Sequence, residues 1–138
     1  MLTVGHVTRG FPTTEITMQP QHSILLYVTD TLTSASFYSK VLGVEPLEIS
    51  PGFAMFSLNG STMLGLWERG GVEPKPASQP GASEIGFHVK DKAEVDAWHK
   101  SWSLKELTII QPPTEMDFGY TFTAADPDGH RVRVFATP

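Results

Sequence analysis

Ser23-Ile24-Leu25-Leu26-Tyr27-Val28-Thr29-Asp30 and, 61 residues later, Glu84-Ile85-Gly86-Phe87-His88-Val89-Lys90-Asp91 are two versions of one phrase. Each is a strand-like apolar run that ends in aspartate and leads into a helical pattern and then into further strands. Two copies of such a unit in 138 residues imply paired supersecondary modules that face each other and enclose a cleft. Function is to be sought in the residues that line it.

In the first run, Ser23, Leu25 and Tyr27 alternate with Ile24, Leu26 and Val28, and the uniformly aliphatic second set is expected to face a covering helix. Asp30 is placed to cap a helix over 31–42, where Leu32, Ala35, Tyr38 and Leu42 recur at helical spacing and Gly43 supplies the stop. Strands are expected at 44–49 and 53–58, and Asn59-Gly60 signals a two-residue hairpin. Pairing Leu58 with Ser61 then sets Phe56 opposite Met63 and Ala54 opposite Gly65. That register turns Phe56, Met63, Gly65 and Trp67 toward the cleft and leaves Phe53, Met55, Leu64 and Leu66 as core.

The second module repeats the scheme. Ile85, Phe87 and Val89 point to the helix side, with Glu84, Gly86, His88 and Lys90 opposite. Asp91 and Glu94 form an acidic capping box for a helix whose apolar stripe is Val95, Trp98 and Trp102. Strands are expected at 107–110, ended by Pro112-Pro113, and at 120–124. Asp126-Pro127-Asp128-Gly129 makes a turn that leaves His130 facing solvent. The last strand, 131–136, directs Val132 and Val134 to the helix and Arg131, Arg133 and Phe135 to the other face.

The chain therefore reads as an extended arm over 1–21 and a single domain over 22–138, composed of a module 22–69, a Gly/Pro-rich linker 70–82 and a module 83–138. With 40% hydrophobic residues it can bury one real core, whereas two independent domains would be too small. A net charge of −5 argues against nucleic acid as a partner. No apolar run approaches the roughly 20 residues of a membrane span, and residues 1–20 lack the pattern of a signal peptide, so the expected location is the cytoplasm. The chain has no cysteine, which removes disulfides, thiolate nucleophiles and Cys-type zinc sites.

Two βαβββ modules opened by Val-x-Asp runs, together with Phe37-Tyr38, Leu42-Gly43 and Asp126-Pro127-Asp128-Gly129-His130, resemble the glyoxalase/bleomycin-resistance/extradiol-dioxygenase (vicinal oxygen chelate) family. The resemblance spans about 22–138 and implies an α+β fold in which curved mixed sheets enclose the cleft. The family holds metal-dependent isomerases, lyases and dioxygenases beside metal-free proteins that sequester antibiotics, and fold alone does not choose among them.

In the metalloenzymes a ligand sits seven residues before each module's aspartate, and others sit on each module's last strand. In this chain those places are Ser23, Gly65, Glu84 and Arg133. Only Glu84 suits a divalent ion. Glycine has no donor, serine is poor alone, and an arginine about 4 Å away repels a unit charge by about 4 kcal/mol at an effective dielectric near 20. The resemblance thus implies no catalytic metal and no cofactor.

The expected ligand-binding residues are Tyr27, Phe56, Met63 and Trp67 from one module and Glu84, His88 and Arg133 from the other, with Lys90 beside them and Phe118 and Tyr120 able to close over the site. Such aromatic walls suit a planar aromatic small molecule. Trp67-Glu68-Arg69-Gly70-Gly71, Ser83-Glu84-Ile85-Gly86 and Phe118-Gly119 are similar to the phenazine-resistance branch. That branch implies a homodimer, with sites at the subunit interface, that binds a planar antibiotic rather than transforming it. Glu84 with Arg133 has two readings, a structural ion pair or a pair that orients a ligand carboxylate or amide. The alternatives are a metal-dependent lyase or isomerase using His22, Glu84 and His88, which needs a one-residue slip in the first strand, and a regulatory or structural dimer without a small ligand.

Overall fold

The computed structural model describes residues 7–9, 12–14 and 22–138. β1 (Val7–Arg9) and β2 (Pro12–Thr14) pair antiparallel. The remainder of the arm expected over 1–21 lies outside the described residues. Then come β3 (His22–Val28), α1 (Thr31–Leu42), β4 (Glu48–Ile49), β5 (Phe53–Asn59), β6 (Thr62–Glu68) and a single 3₁₀ turn at Arg69–Gly71. After the Pro-rich stretch follow β7 (Glu84–His88), α2 (Lys92–Leu104), β8 (Thr108–Met116), β9 (Gly119–Ala125) and β10 (Arg131–Ala136).

The repeat in the sequence is a repeat in topology. One four-stranded sheet runs β3-β6-β5-β4 and the other β7-β10-β9-β8. In each, the first and last strands of the module are parallel neighbours and the other pairings are antiparallel. Both aspartates cap as expected. Asp30 Oδ1 accepts from the Leu32 and Thr33 amides, and Asp91 Oδ1 from the Glu94 amide at 2.9 Å. Glu94 reaches back to the Lys90 amide at 2.9 Å, one residue before the cap. Gly43, at φ +71°, ends α1 and donates to the Ser39 carbonyl.

The helix-side faces of both sheets feed one core. Leu26, Val28, Phe56, Leu64 and Leu66 join Phe37, Tyr38 and Val41 of α1, continuous with Val95, Trp102, Phe122, Val132 and Val134. The buried stripe of α1 is centred on Ser34, Ala35, Tyr38 and Val41, so Leu32 stands half exposed, outside the stripe expected for it.

Two strand expectations are corrected. A register shift between Ser57 and Asn59 pairs Phe56 with Leu64, Met55 with Gly65 and Phe53 with Trp67. The extra residue of this bulge reverses the parity of β5, so Phe56 is fully buried in the core while Phe53 and Met55 turn to the open face. Pro112-Pro113 do not end β8, which runs through both with two register irregularities. β8 is the outer strand of its sheet, where a missing N–H costs no ladder bond.

The seam between the modules is built by the late turn. Asp126 Oδ1 accepts from the Asp128 and His130 amides at 2.8 and 2.9 Å, and Oδ2 accepts from the Tyr38 hydroxyl at 2.8 Å. Asp128 Oδ2 accepts from the Thr29 amide at 3.0 Å. Burial raises the Asp126 carboxyl above its ordinary range, against the opposing pull of Tyr38 and His130. Burial, followed by the Asp126 charge, pushes the Tyr38 hydroxyl far up. His130 is not solvent-facing: it is 5% exposed and sits inside this seam.

Candidate functional site: two open sheet faces

Strand alternation fixes what the first sheet presents away from α1. Tyr27 pairs with Trp67, and Trp67 with Phe53, so three aromatic residues form one row across β3, β6 and β5. The Tyr27 and Trp67 rings meet edge to face, with centroids 6.3 Å apart at 83°. One row down lie Leu25, Gly65 and Met55, and below them Ser23, Met63 and Ser57. A β-carbon on Gly65 would collide with Leu25 Cδ2 and crowd Phe53 Cζ at 3.1 Å, so the space above Gly65 is already filled by carbon.

The second sheet presents Glu84, Gly86 and His88 beside Arg131, Arg133 and Phe135. The Arg133 fork holds Glu84 through Nε–Oε2 at 2.9 Å and Nη2–Oε1 at 3.3 Å, and its Nη1 reaches Gln111 Oε1 at 3.0 Å and Thr121 Oγ1 at 3.3 Å. The His88 and Phe135 rings stack at 4.9 Å and 6°. Phe118 meets Phe135 edge-on at 6.2 Å and lies 5.7 Å from the Arg133 guanidinium carbon.

Of the residues expected from sequence, Tyr27, Met63 and Trp67 share the first face, and Glu84, His88 and Arg133 share the second with Phe118 beside them. Phe56 belongs to the core. Tyr120 alternates to the helix side, where its hydroxyl donates to Asp96 Oδ1 at 2.8 Å; this bond is the first cause that raises its pKa. Lys90 uses its backbone amide to hold Glu94. The sequence reading missed Phe53, hidden by the bulge, and Gln111, a partner of Arg133. It also passed over Phe135, although that residue's parity with Arg133 was legible in the last strand.

Tyr27 lines a cavity of about 240 Å³ with Leu25, Leu26, His130 and the segment 78–83. Arg133 lines another of about 350 Å³ with Arg131, Gln111, Thr123, Ile110 and Met116. Tyr27 and Arg133 therefore line different cavities, and Glu84 lines a third, of about 390 Å³, with Ile24, Leu26 and Leu58 of the first module.

At the family's metal positions the donor set does not fit a divalent ion. Both Glu84 oxygens are taken by Arg133, Gly65 offers no donor, and Ser23 stands alone. His22 shares the parity of Ile24 and Leu26, opposite to Ser23. Among the described residues no three His, Asp or Glu side chains converge.

Residues 21–134 match the glyoxalase/bleomycin resistance protein/dioxygenase superfamily. The chain belongs to that superfamily. A phenazine antibiotic resistance protein, EhpR from Enterobacter agglomerans, is 34% identical over 113 residues, covering 80% of this chain and 86% of that protein. The solution NMR structure of ATC0852 from Agrobacterium tumefaciens superposes with a TM-score of 0.75 at 43% identity, covering 88% of this chain and 99% of that one. A glyoxalase-related enzyme from Fulvimarina pelagi shares the fold, with a TM-score of 0.71 at 24% identity over 88% of this chain and 90% of its own. No helix among the described residues is long and apolar enough to cross a membrane.

Proposed function

We propose that this protein binds and sequesters a planar aromatic small molecule of phenazine type, without a metal or other cofactor, and so confers resistance to it. The observation that carries the reading is the Tyr27–Trp67–Phe53 row. It is an open, cross-strand aromatic surface that extends further than the sequence suggested. A conjugated ring laid on it gains about 0.5–1.5 kcal/mol per aromatic contact beyond the area it buries. Similarity to a phenazine antibiotic resistance protein supports the same ligand class.

The second face supplies orientation. Arg133, Glu84 and Gln111 form a fixed polar group beside the Phe118–Phe135 pair, suited to the substituents of an aromatic core. Both faces open outward, and Tyr27 and Leu25 on the first are 37% and 45% exposed. In the proposed working form, a cytoplasmic homodimer, the aromatic face of one copy meets the polar face of another, giving two equivalent sites. A metal-dependent lyase would need donors that Ser23 and Gly65 do not supply.

Titration with phenazine-1-carboxylic acid and a panel of planar aromatic antibiotics, followed by tryptophan fluorescence, tests the reading. Saturable quenching is expected, weakened at least tenfold, about 1.4 kcal/mol, in Trp67→Ala. Trp98 and Trp102 on α2 provide the unaffected background. Absence of saturable binding across the panel, or binding that chelators abolish, would overturn it.

A further inference from the structure

His130 lies in the Asp-Pro-Asp-Gly-His turn, far from the aromatic row in sequence, yet its ring ends at that row. Nε2 is 3.1 Å from the Tyr27 carbonyl oxygen and Nδ1 is 2.6 Å from Ser83 Oγ. A carbonyl only accepts, so Nε2 carries the proton. In the neutral ring Nδ1 then accepts from the serine hydroxyl. The partners fix the tautomer, and the ring is satisfied at both ends.

The strands joined this way are the ones that have no ladder between them. β3 and β7 are each the outer strand of their sheet. His130 supplies a partner to the Tyr27 carbonyl on β3 and to Ser83, the residue before β7, whose own carbonyl accepts from the Arg131 amide at 2.9 Å. The imidazole is itself held from below, since Asp126 Oδ1 accepts the His130 amide at 2.9 Å and Asp126 Oδ2 is anchored on Tyr38. Tyr27 and His130 line one cavity of about 240 Å³, and the Tyr27 ring abuts Trp67 edge to face at 6.3 Å.

From this chain of contacts we infer that His130 is a positioning residue for ligand binding: its Nε2–H sets the Tyr27 backbone, and so the aromatic row, from the second module. The inference rests on the ligand-binding reading above. It makes the aromatic surface of one module a joint product of both, because the hydrogen bond that aligns Tyr27 comes from the other half of the chain.

Two amide substitutions separate the two ring nitrogens. In His130→Gln the side-chain amide reaches the place of Nε2 and keeps the bond to Tyr27; in His130→Asn it reaches only the place of Nδ1 and keeps Ser83. Measured with phenazine-1-carboxylic acid, His130→Asn is expected to bind about tenfold more weakly, and His130→Gln within about threefold of wild type, the size of one lost hydrogen bond. A ligand-free readout accompanies it. The Trp67 indole ¹H–¹⁵N resonance, assigned by its loss in Trp67→Phe, should move in His130→Asn as it does in Tyr27→Leu, and stay in place in His130→Gln. Equal losses in the Asn and Gln variants, or an unmoved resonance in His130→Asn, would overturn the assignment. Should wild type not bind phenazine-1-carboxylic acid, the ligand reading fails while the indole resonance still decides the role of His130.

Discussion

The two sheets share strand order and pairing, but their matching open faces part in chemistry, most sharply one row in from the aromatic pairs. Tyr27 beside Trp67 on the first corresponds to His88 beside Phe135 on the second, and Gly65, under Leu25 and Phe53, corresponds to Arg133, locked to Glu84 and Gln111. One sheet is a hydrocarbon and aromatic platform; the other is a polar clamp edged with aromatics. The repeated backbone fixes where side chains point, and leaves the two faces free to specialise. Such a division suits recognition of an aromatic core by one face and its substituents by the other.

The largest test of this contrast addresses which phenylalanine of β5 belongs to the platform. Phe56→Ala, in the fully buried core, is expected to cost about 3–5 kcal/mol by chemical denaturation. Phe53→Ala, half-buried on the open face, should cost about 1 kcal/mol and weaken ligand binding instead. The reverse order of losses, Phe53→Ala costing more than Phe56→Ala, would restore the hairpin register read from Asn59-Gly60 and remove Phe53 from the site.

A second test cuts the seam that holds the two faces together. Tyr38→Phe leaves Asp126 Oδ2 without its donor and is expected to destabilise by about 1–2 kcal/mol at neutral pH. The Tyr38 hydroxyl is raised in the folded state, so its contribution is complete below the ordinary tyrosine pKa of about 10 and declines as the pH rises above it. The margin between wild type and Tyr38→Phe should therefore narrow above about pH 10. A margin that widened there would mean that the phenol ionises more readily when folded.

The smallest and most direct comparison puts the same methyl group on each sheet. Gly65→Ala presses on Leu25 and Phe53, whereas Gly86→Ala approaches only the Phe135 ring, nearest at Cε1, 3.2 Å away. Leu25 is exposed enough to swing aside, so both changes should cost no more than about 1 kcal/mol in stability. They should differ in binding: Gly65→Ala is expected to weaken association with a planar ring by distorting the platform, and Gly86→Ala much less. Equal effects on ligand titration would show that the two faces contribute alike.

Much of this was legible in the residues alone. Period-two alternation in the Val-x-Asp runs gave the two faces of β3 and β7, and Asp30, Gly43, Asp91 and Glu94 marked the helix ends, because capping and pleat act over a few bonds. Alternation gave Tyr27, Glu84, His88 and Arg133 their open faces, and the hairpin register, right for β6 though not for β5, gave Met63 and Trp67 theirs. The failures have one cause. Phe56, Tyr120 and His130 were placed by local pattern, but their surroundings were settled by segments distant in sequence: a bulge against β6, Asp96 on α2, and the Tyr27 carbonyl of the other module.

The chain by itself determined the repeat and the helix limits, since each follows from residue type and short-range geometry, and its resemblance to the family marked Ser23, Gly65 and Arg133 as places where a metal ligand set is not supplied. Only the folded molecule decided the register of β5, the aromatic row it completes, and the burial of His130 between two outer strands. Those depend on which distant backbone groups come within hydrogen-bonding reach, and one extra residue in a strand is enough to exchange its two faces.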